Sequence, residues 1–215
     1  MKNKCKICGN VTTPIQHERL GMYHYCSICE FIGKDERFVL SATEELEIYN
    51  IHNNSIDDPL YVAFFNRFLE DAVFPFASDK KDGFDFGSGP SPVLAQLLER
   101  DYGYQMDIYD PFYAPEKIYL GKKYNLITST EVVEHLKDPL SSFRLLKDLL
   151  NGDSAILSII TSFHQNNEAH FKNWHYTRDE THIAFYTPKT MEYIAKIVGL
   201  KLIHTNGKRY TTFKK

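Results

Sequence analysis

The chain has 215 residues, enough for one ordinary domain and a small appendage. With 43% apolar and 25% charged residues it supports a packed core and is not the composition of a disordered chain. The net charge of −3 excludes a global field that would draw the protein onto nucleic acid or anionic lipid. The first residues, MKNKCKICGN, lack the apolar stretch of a secretory signal, and no window reaches the roughly 20 apolar residues of a membrane span. A cytoplasmic location is expected.

All four cysteines lie in the first block, residues 1–40, as Cys5-x-x-Cys8 and Cys26-x-x-Cys29. In a reducing cytosol this pattern predicts metal ligation over disulfides, and its spacing is that of a zinc ribbon. Two thiolates on each of two tight turns complete the tetrahedral shell of a closed structural site, with no open position for a substrate. The cluster is therefore expected to serve folding and recognition, and His17 and His24, between the knuckles, to be surface or packing residues. Losing Cys26 should unfold this block and spare residues 84–215.

Residues 41–80 form a helical linker or cap. Its first part is polar and includes Tyr49, His52, Asn53 and Asn54, which read as a linker or as groups folded over a pocket. From 58 to 76 apolar residues recur at helical spacing, through Leu60, Phe64, Phe65, Phe68, Leu69 and Val73.

From residue 81 to the end, strands and helices alternate. GFDFG is a short buried strand, and SPVLAQLLER a helix with Pro92 in its first turn. YQMDIYD and YNLITST are further strands. Asp138-Pro139 caps and opens a helix that Asn151-Gly152 ends, followed by the buried strand SAILSII. Thr187-Pro188 starts the last helix, closed by Gly199. KLIHT and RYTTF flank Asn206-Gly207, a strong hairpin signal. The order predicts an α/β fold: a Rossmann-like, mostly parallel sheet with helices on both faces and a C-terminal antiparallel hairpin. The short interval between Asp110 and Asn125 makes the third strand of such a sheet short or missing.

Asp85-Phe86-Gly87-Ser88-Gly89 stands at a strand-to-helix turn, and Asp110 ends the next strand about 20 residues on, where this architecture binds ribose hydroxyls. The third glycine of a dinucleotide loop is absent. A carboxylate ahead of the first glycine would repel a pyrophosphate, but it suits a ligand carrying an ammonium and a sulfonium. The loop resembles motif I of the class I S-adenosylmethionine-dependent methyltransferases, E/D-x-G-x-G. Residues 124–139, from YNLITSTEVVEHL to Asp138-Pro139, look like that superfamily's fourth strand and following helix, with Asn125 in place of the usual Asp. With the four-Cys ribbon in front, the whole resembles bacterial zinc-ribbon methyltransferases, including sugar C-methyltransferases. The resemblance implies S-adenosylmethionine held by Asp85, Gly87, Ser88, Gly89, Asp110 and Glu131, with structural zinc on Cys5, Cys8, Cys26 and Cys29.

Residues 161–187 form a long connection at the carboxyl ends of the strands, where open α/β sheets bind ligands. They concentrate Trp174, His175, Tyr176, Asp179, Thr181, His182, Phe185 and Tyr186. The aromatics are either loop anchors or pocket walls. On the second reading His182 is the first candidate base, followed by His175 and Tyr186. Glu131, Glu134 and His135 would share a helical face and converge on a second divalent ion. The same E-x-x-E-H occurs in ubiquinone-pathway O-methyltransferases and small-RNA methyltransferases, where it binds a metal, and in members with no known metal. The expected activity is methyl transfer to a small molecule such as a sugar or phenol. The basic segment 199–215 leaves an RNA methyltransferase, docked through the ribbon, as the alternative; a non-catalytic binding module is disfavoured by the intact loop.

Overall fold

Residues 3–51 and 55–215 are described by a computed structural model; His52, Asn53 and Asn54 of the candidate pocket cover lie outside the described residues. The apolar run at β4 (Asp82–Phe86) is the central parallel strand, paired with β5 (Gln105–Tyr109) on one side and β6 (Leu126–Thr130) on the other. β6 pairs in parallel with β7 (Ile156–Ile160), every residue of which is buried. The chain then reverses: β10 (Tyr210–Lys214) runs antiparallel to β7 and to β9 (Lys201–Thr205), giving the order β5-β4-β6-β7-β10-β9. Among the described residues no strand lies between β5 and β6 in sequence, as the short interval predicts; the segment contributes only an Asp110–Ala114 bridge and turns.

Period-two alternation sorts the side chains to two cores. Phe84, Ile127, Leu157, Ile159 and Phe213 pack beneath α4 (Pro139–Leu149) and α6 (Pro188–Val198), joining Phe143, Leu146, Met191 and Ile194. Leu126, Ile156, Ile160 and Tyr210 face the other way. They meet Phe65 and Phe68 of α2 (Pro59–Phe68), Leu69 and Val73 of the π turn that continues it, and Val93, Leu94 and Leu97 of α3 (Val93–Tyr102). The predicted helix signals hold. Asp138 accepts from Ser141 N at 3.2 Å, Thr187 forms a capping box with Thr190, and Gly199 ends α6 in the left-handed region at φ 75°. In the terminal hairpin Asn206 Oδ1 accepts from the backbone N–H groups of Lys208, Arg209 and Tyr210 at 2.9–3.0 Å, a side chain standing in for backbone in the turn. The polar segment after residue 40 holds an element the sequence reading lacked: α1 (Ala42–Tyr49), capped by the Ser41–Glu44 box.

The N-terminal block is a ribbon of β1 (Thr13–His17), β2 (Gly21–Tyr25) and β3 (Ile32–Lys34), and its fourth strand comes from the far end of the chain, β8 (Ala184–Phe185). The long 161–187 connection is thereby stitched to the ribbon. Lys34 N donates to Ile183 O at 2.8 Å, Lys34 Nζ to Glu180 O at 2.9 Å, and Thr190 Oγ1 to Cys29 O at 2.8 Å. Tyr23, Phe171, Phe185 and Tyr176 share one buried cluster. His17, expected either at the surface or in packing, is buried within hydrogen-bond distance of Lys172 O. The expectation that losing Cys26 spares residues 84–215 is accordingly corrected, because the loop at the sheet's carboxyl edge has the ribbon as its pairing partner.

Candidate active site

The glycine loop leaves β4 with two left-handed residues, Gly87 at φ 83° and Gly89 at φ 67°. Gly87 N and Ser88 N donate to Tyr109 O at 2.8 and 3.2 Å, folding the loop over the end of β5. The two glycines do different jobs. A Cβ on Gly87 would lie 2.3 Å from Val132 Cγ2, so this glycine is needed for packing, whereas a Cβ on Gly89 meets nothing within 4 Å. Gly87→Ala should therefore lower the melting temperature strongly. Gly89→Ala should cost only the backbone strain, about 1–2 kcal/mol, and so report on whatever occupies the space beside it; thermal denaturation of both variants checks the difference.

Asp85 and Asp110 supply the loop's negative charge, and both are buried. Asp110 is spanned by backbone donors: Gly89 N to Oδ2 at 3.0 Å, and Phe112 N and Tyr113 N to Oδ1 at 2.8 and 3.0 Å. That leaves part of its acceptor capacity for a hydroxyl. Asp85 accepts from Thr128 Oγ1 at 2.7 Å, yet burial, and secondarily the Asp110 charge, pushes its carboxyl up to about 6. Ser88 Oγ is buried without a hydrogen-bond partner. An underpaired carboxylate, an orphaned hydroxyl and open space at Gly89 together fit a polar, cationic ligand.

Beside the loop lies a cavity of about 330 Å³, walled by Tyr61, Phe64 and Phe65 of α2, Thr130 and Glu131 at the end of β6, Ser162, His175, Tyr176 and Arg209. Tyr61 connects the two regions, since its hydroxyl, raised mainly by burial to about 12, also feels the charges of Asp85 and Glu131. Glu131 takes a left-handed conformation at φ 54°, with its N–H held by Ile160 O at 2.9 Å. A non-glycine residue there is strained, and such positions cluster at functional sites. Tyr176 Oη lies 2.9 Å from Glu131 Oε2 and makes a short hydrogen bond to Glu134 Oε1. One phenol has one proton, so bridging two carboxylates requires that the pair hold another between them. Burial raises both glutamates, and the Glu131 charge raises Glu134 further.

Of the predicted bases, only His175 stands on the cavity wall, exposed. His182 is buried behind Tyr176, its ring 4.1 Å away, and its Nδ1 donates to Tyr176 O at 2.7 Å. Tyr186 is fully buried, donating to Val133 O at 2.7 Å and packed on Phe31. His182 and Tyr186 are thus moved from the cavity to its support. The expected helical face of Glu131, Glu134 and His135 is also corrected: Val133–His135 is a single 3-10 turn after the kink at Glu131, so the three do not lie on one α-helical face, and Glu131 meets Glu134 through the Tyr176 hydroxyl. His135 Nδ1 lies 3.1 Å from both the Tyr49 hydroxyl and Thr181 O. Tyr176 and Arg209 are wall residues the sequence reading did not assign. Tyr176 sits among aromatics that suggested it, while nothing local marks Arg209, brought in by the terminal hairpin.

In the ribbon, Cys5 Sγ lies 3.5 Å from Cys29 Sγ and Cys8 Sγ 3.4 Å from Cys26 Sγ, with all four sulfurs within 4.8 Å of one another. Zn–S bonds of about 2.3 Å in a tetrahedron put sulfurs roughly 3.8 Å apart, so the cluster has the dimensions of such a shell. The knuckles are built alike. Gly9 N donates to Cys5 O at 3.0 Å and Glu30 N to Cys26 O at 2.8 Å, with Gly9 and Glu30 both at positive φ.

A mostly parallel α/β sheet ending in an antiparallel pair, with its glycine loop after the central strand and a cavity at the strands' carboxyl edge, is the Rossmann-like fold of the methyltransferases. Residues 59–205 match the methyltransferase-domain family, and the chain belongs to that family. In fold it is similar to an O-methyltransferase family protein of Burkholderia thailandensis (14% identity, TM-score 0.54, covering 73% of this chain and 56% of that one). It is similar also to a mitomycin 7-O-methyltransferase (13%, 0.51, 80% and 66%) and to a Bacillus halodurans protein assigned as a methyltransferase (12%, 0.50, 66% and 71%). The chain thus spans less than two thirds of the first two of these proteins. Among curated proteins none matches the sequence. No helix among the described residues is long and apolar enough to cross a membrane.

Proposed function

We propose that this protein transfers a methyl group from S-adenosylmethionine to a hydroxyl of a small-molecule acceptor, with Glu131 as the proton acceptor and zinc on the four cysteines as a structural ion. The observation that carries the reading is the juxtaposition of the glycine loop with a cavity sized for one small molecule and walled by the half-buried Glu131 carboxylate. The loop's residues fit the cofactor: Asp85 would hold a cationic group, Ser88 Oγ is buried with no protein partner, Gly89 leaves room, and Asp110 retains acceptor capacity for a ribose diol. Bound there, S-adenosylmethionine supplies an electrophilic methyl on a sulfonium. The protein's part is to hold the acceptor oxygen in line with that methyl, exclude water and accept the hydroxyl proton. Phe64 and Phe65 supply the apolar wall, burial raises Glu131 toward the proton affinity a base needs, with Tyr176 and, last, Arg209 opposing it, and Tyr176 fixes the carboxylate. His175 is the second group on the wall able to accept the proton, in place of His182 and Tyr186.

Because a raised carboxyl must be ionised to hold a cationic ligand, affinity for S-adenosylmethionine should be full above the Asp85 value of about 6 and fall as pH drops through it. Asp85→Asn should remove that pH dependence along with most of the affinity; calorimetry at pH 5, 6 and 8 measures both. The acceptor class is tested by incubating the protein with labelled S-adenosylmethionine and a metabolite panel, or with RNA. Label in small molecules supports the reading, and label in RNA alone would overturn it in favour of the nucleic-acid alternative.

A further inference from the structure

The cavity beside the glycine loop carries a second charged group that the proton transfer leaves unused. Arg209 stands on its wall, and the guanidinium has no hydrogen-bond or ion-pair partner among the described residues. Its charge reaches Glu131 as the last of the influences on that carboxyl. An exposed arginine is in itself an ordinary solvated side chain, but this one has its backbone fixed at the cavity. Asn206 Oδ1 accepts from Arg209 N at 2.9 Å, and Thr161 N donates to Arg209 O at 3.0 Å. The same end of β7 holds Glu131, whose N–H donates to Ile160 O at 2.9 Å. Glu131 follows β6 and Arg209 precedes β10, with β7 between those strands. Two strand spacings of about 4.8 Å therefore put the two backbones ~10 Å apart along the carboxyl edge of the sheet. Tyr61 and Phe64, stacked with ring planes 6° apart, and Phe65 give the same cavity an aromatic wall. The cavity thus combines a carboxylate, a cation outside any ion pair and an apolar surface.

Resting on the methyl-transfer reading, we propose that the acceptor is a hydroxy acid: an apolar body whose carboxylate or phosphate is held by Arg209 and whose hydroxyl faces Glu131. A guanidinium presents its donors in a planar fork that matches either oxyanion, through charge-assisted hydrogen bonds. The reversed orientation would set the acceptor's oxyanion against the Glu131 carboxylate, so charge decides which end of the molecule meets the base. Orientation is what such a reaction needs from the protein. The oxygen–carbon bond forms as the carbon–sulfur bond of the sulfonium breaks, the hydroxyl proton passes to Glu131, and S-adenosylhomocysteine is left. Arg209 takes no part in that proton transfer. It sets which acceptors are bound and which way round they lie.

The probes are two matched pairs: 4-hydroxyphenylacetate with its neutral amide, and 4-hydroxyphenyl phosphate with hydroquinone. Each is titrated calorimetrically into the full chain, with and without S-adenosylhomocysteine. At least one acid should bind about tenfold or more tightly than its neutral counterpart, and which pair shows the preference tells carboxylate from phosphate. Arg209→Gln should abolish the preference, and Arg209→Lys, which keeps the charge without the fork, should restore part of it. The side chain is exposed, so the melting temperature of both variants should match the wild type. Affinity for S-adenosylhomocysteine should be unchanged in Arg209→Gln. Neutral members bound as tightly as the acids, or no acid bound at all, would overturn the proposal. So would an equal loss of S-adenosylhomocysteine affinity, which would assign Arg209 to the cofactor's own carboxylate. The methyl-transfer reading fails separately, if the wild type binds the acids through Arg209 but does not bind S-adenosylhomocysteine.

Discussion

Glu131→Gln should lower turnover by about 10²–10⁴-fold, the usual contribution of a general base, while leaving affinity for S-adenosylmethionine nearly unchanged. Glu131, expected with the cofactor residues, stands instead on the wall of the acceptor cavity. The amide keeps the size of the side chain and one hydrogen-bond acceptor for Tyr176 but takes up no proton. The strained backbone at φ 54° is shared by both forms, so the melting temperature should move little. Single-turnover measurement at saturating cofactor reads the chemical step. His182→Ala makes the useful contrast: its imidazole supports Tyr176 from behind and is absent from the cavity wall, so turnover and melting temperature should fall together. His175→Ala, an exposed wall residue, should cost less than Glu131→Gln; the reverse ranking would transfer the base to His175.

Removing the zinc proposed for the ribbon should have a comparably large effect, at a distance. Cys26→Ser, or a strong chelator, takes one sulfur or the ion from a shell whose sulfurs are all close, and binding at such sites is folding free energy. The consequence passes along β3 to β8 and the loop carrying His175 and Tyr176, and displacement of a wall by about 1 Å can cost roughly 10²-fold in rate. Cofactor affinity should survive, because the loop with Asp85 and Asp110 is carried by β4 and β5, which pair within the large sheet and not with the ribbon. Loss of methyl transfer with retained cofactor binding is the expected result. Full activity of a zinc-free protein would refute the coupling.

Much of the fold was legible because its signals are local. Asp138-Pro139, Thr187-Pro188, Gly199 and Asn206-Gly207 each act through backbone within a few residues, and the buried strands announce themselves as apolar runs. The left-handed glycine loop and the convergence of the four cysteines were legible for the same reason, each being set by spacing. What escaped was set by contacts between distant segments. Nothing near residue 184 indicates that Ala184–Phe185 completes a sheet with Ile32–Lys34, yet this pairing decides which loop residues face the cavity. His182 and Tyr186 have the right chemistry for bases, but the strand between them and the ribbon buries both. The helical face expected of Glu131, Glu134 and His135 failed at one backbone angle, the positive φ of Glu131. Arg209 reaches the cavity only because the C-terminal hairpin folds back against β7.

The central claim, that the glycine loop holds S-adenosylmethionine, is tested most directly by calorimetry of the purified protein with that ligand and with NAD. One S-adenosylmethionine should bind per chain, with affinity strongly reduced in Asp85→Asn and reduced in Gly89→Ala. Tighter binding of NAD, or S-adenosylmethionine binding unaltered in both variants, would contradict the account.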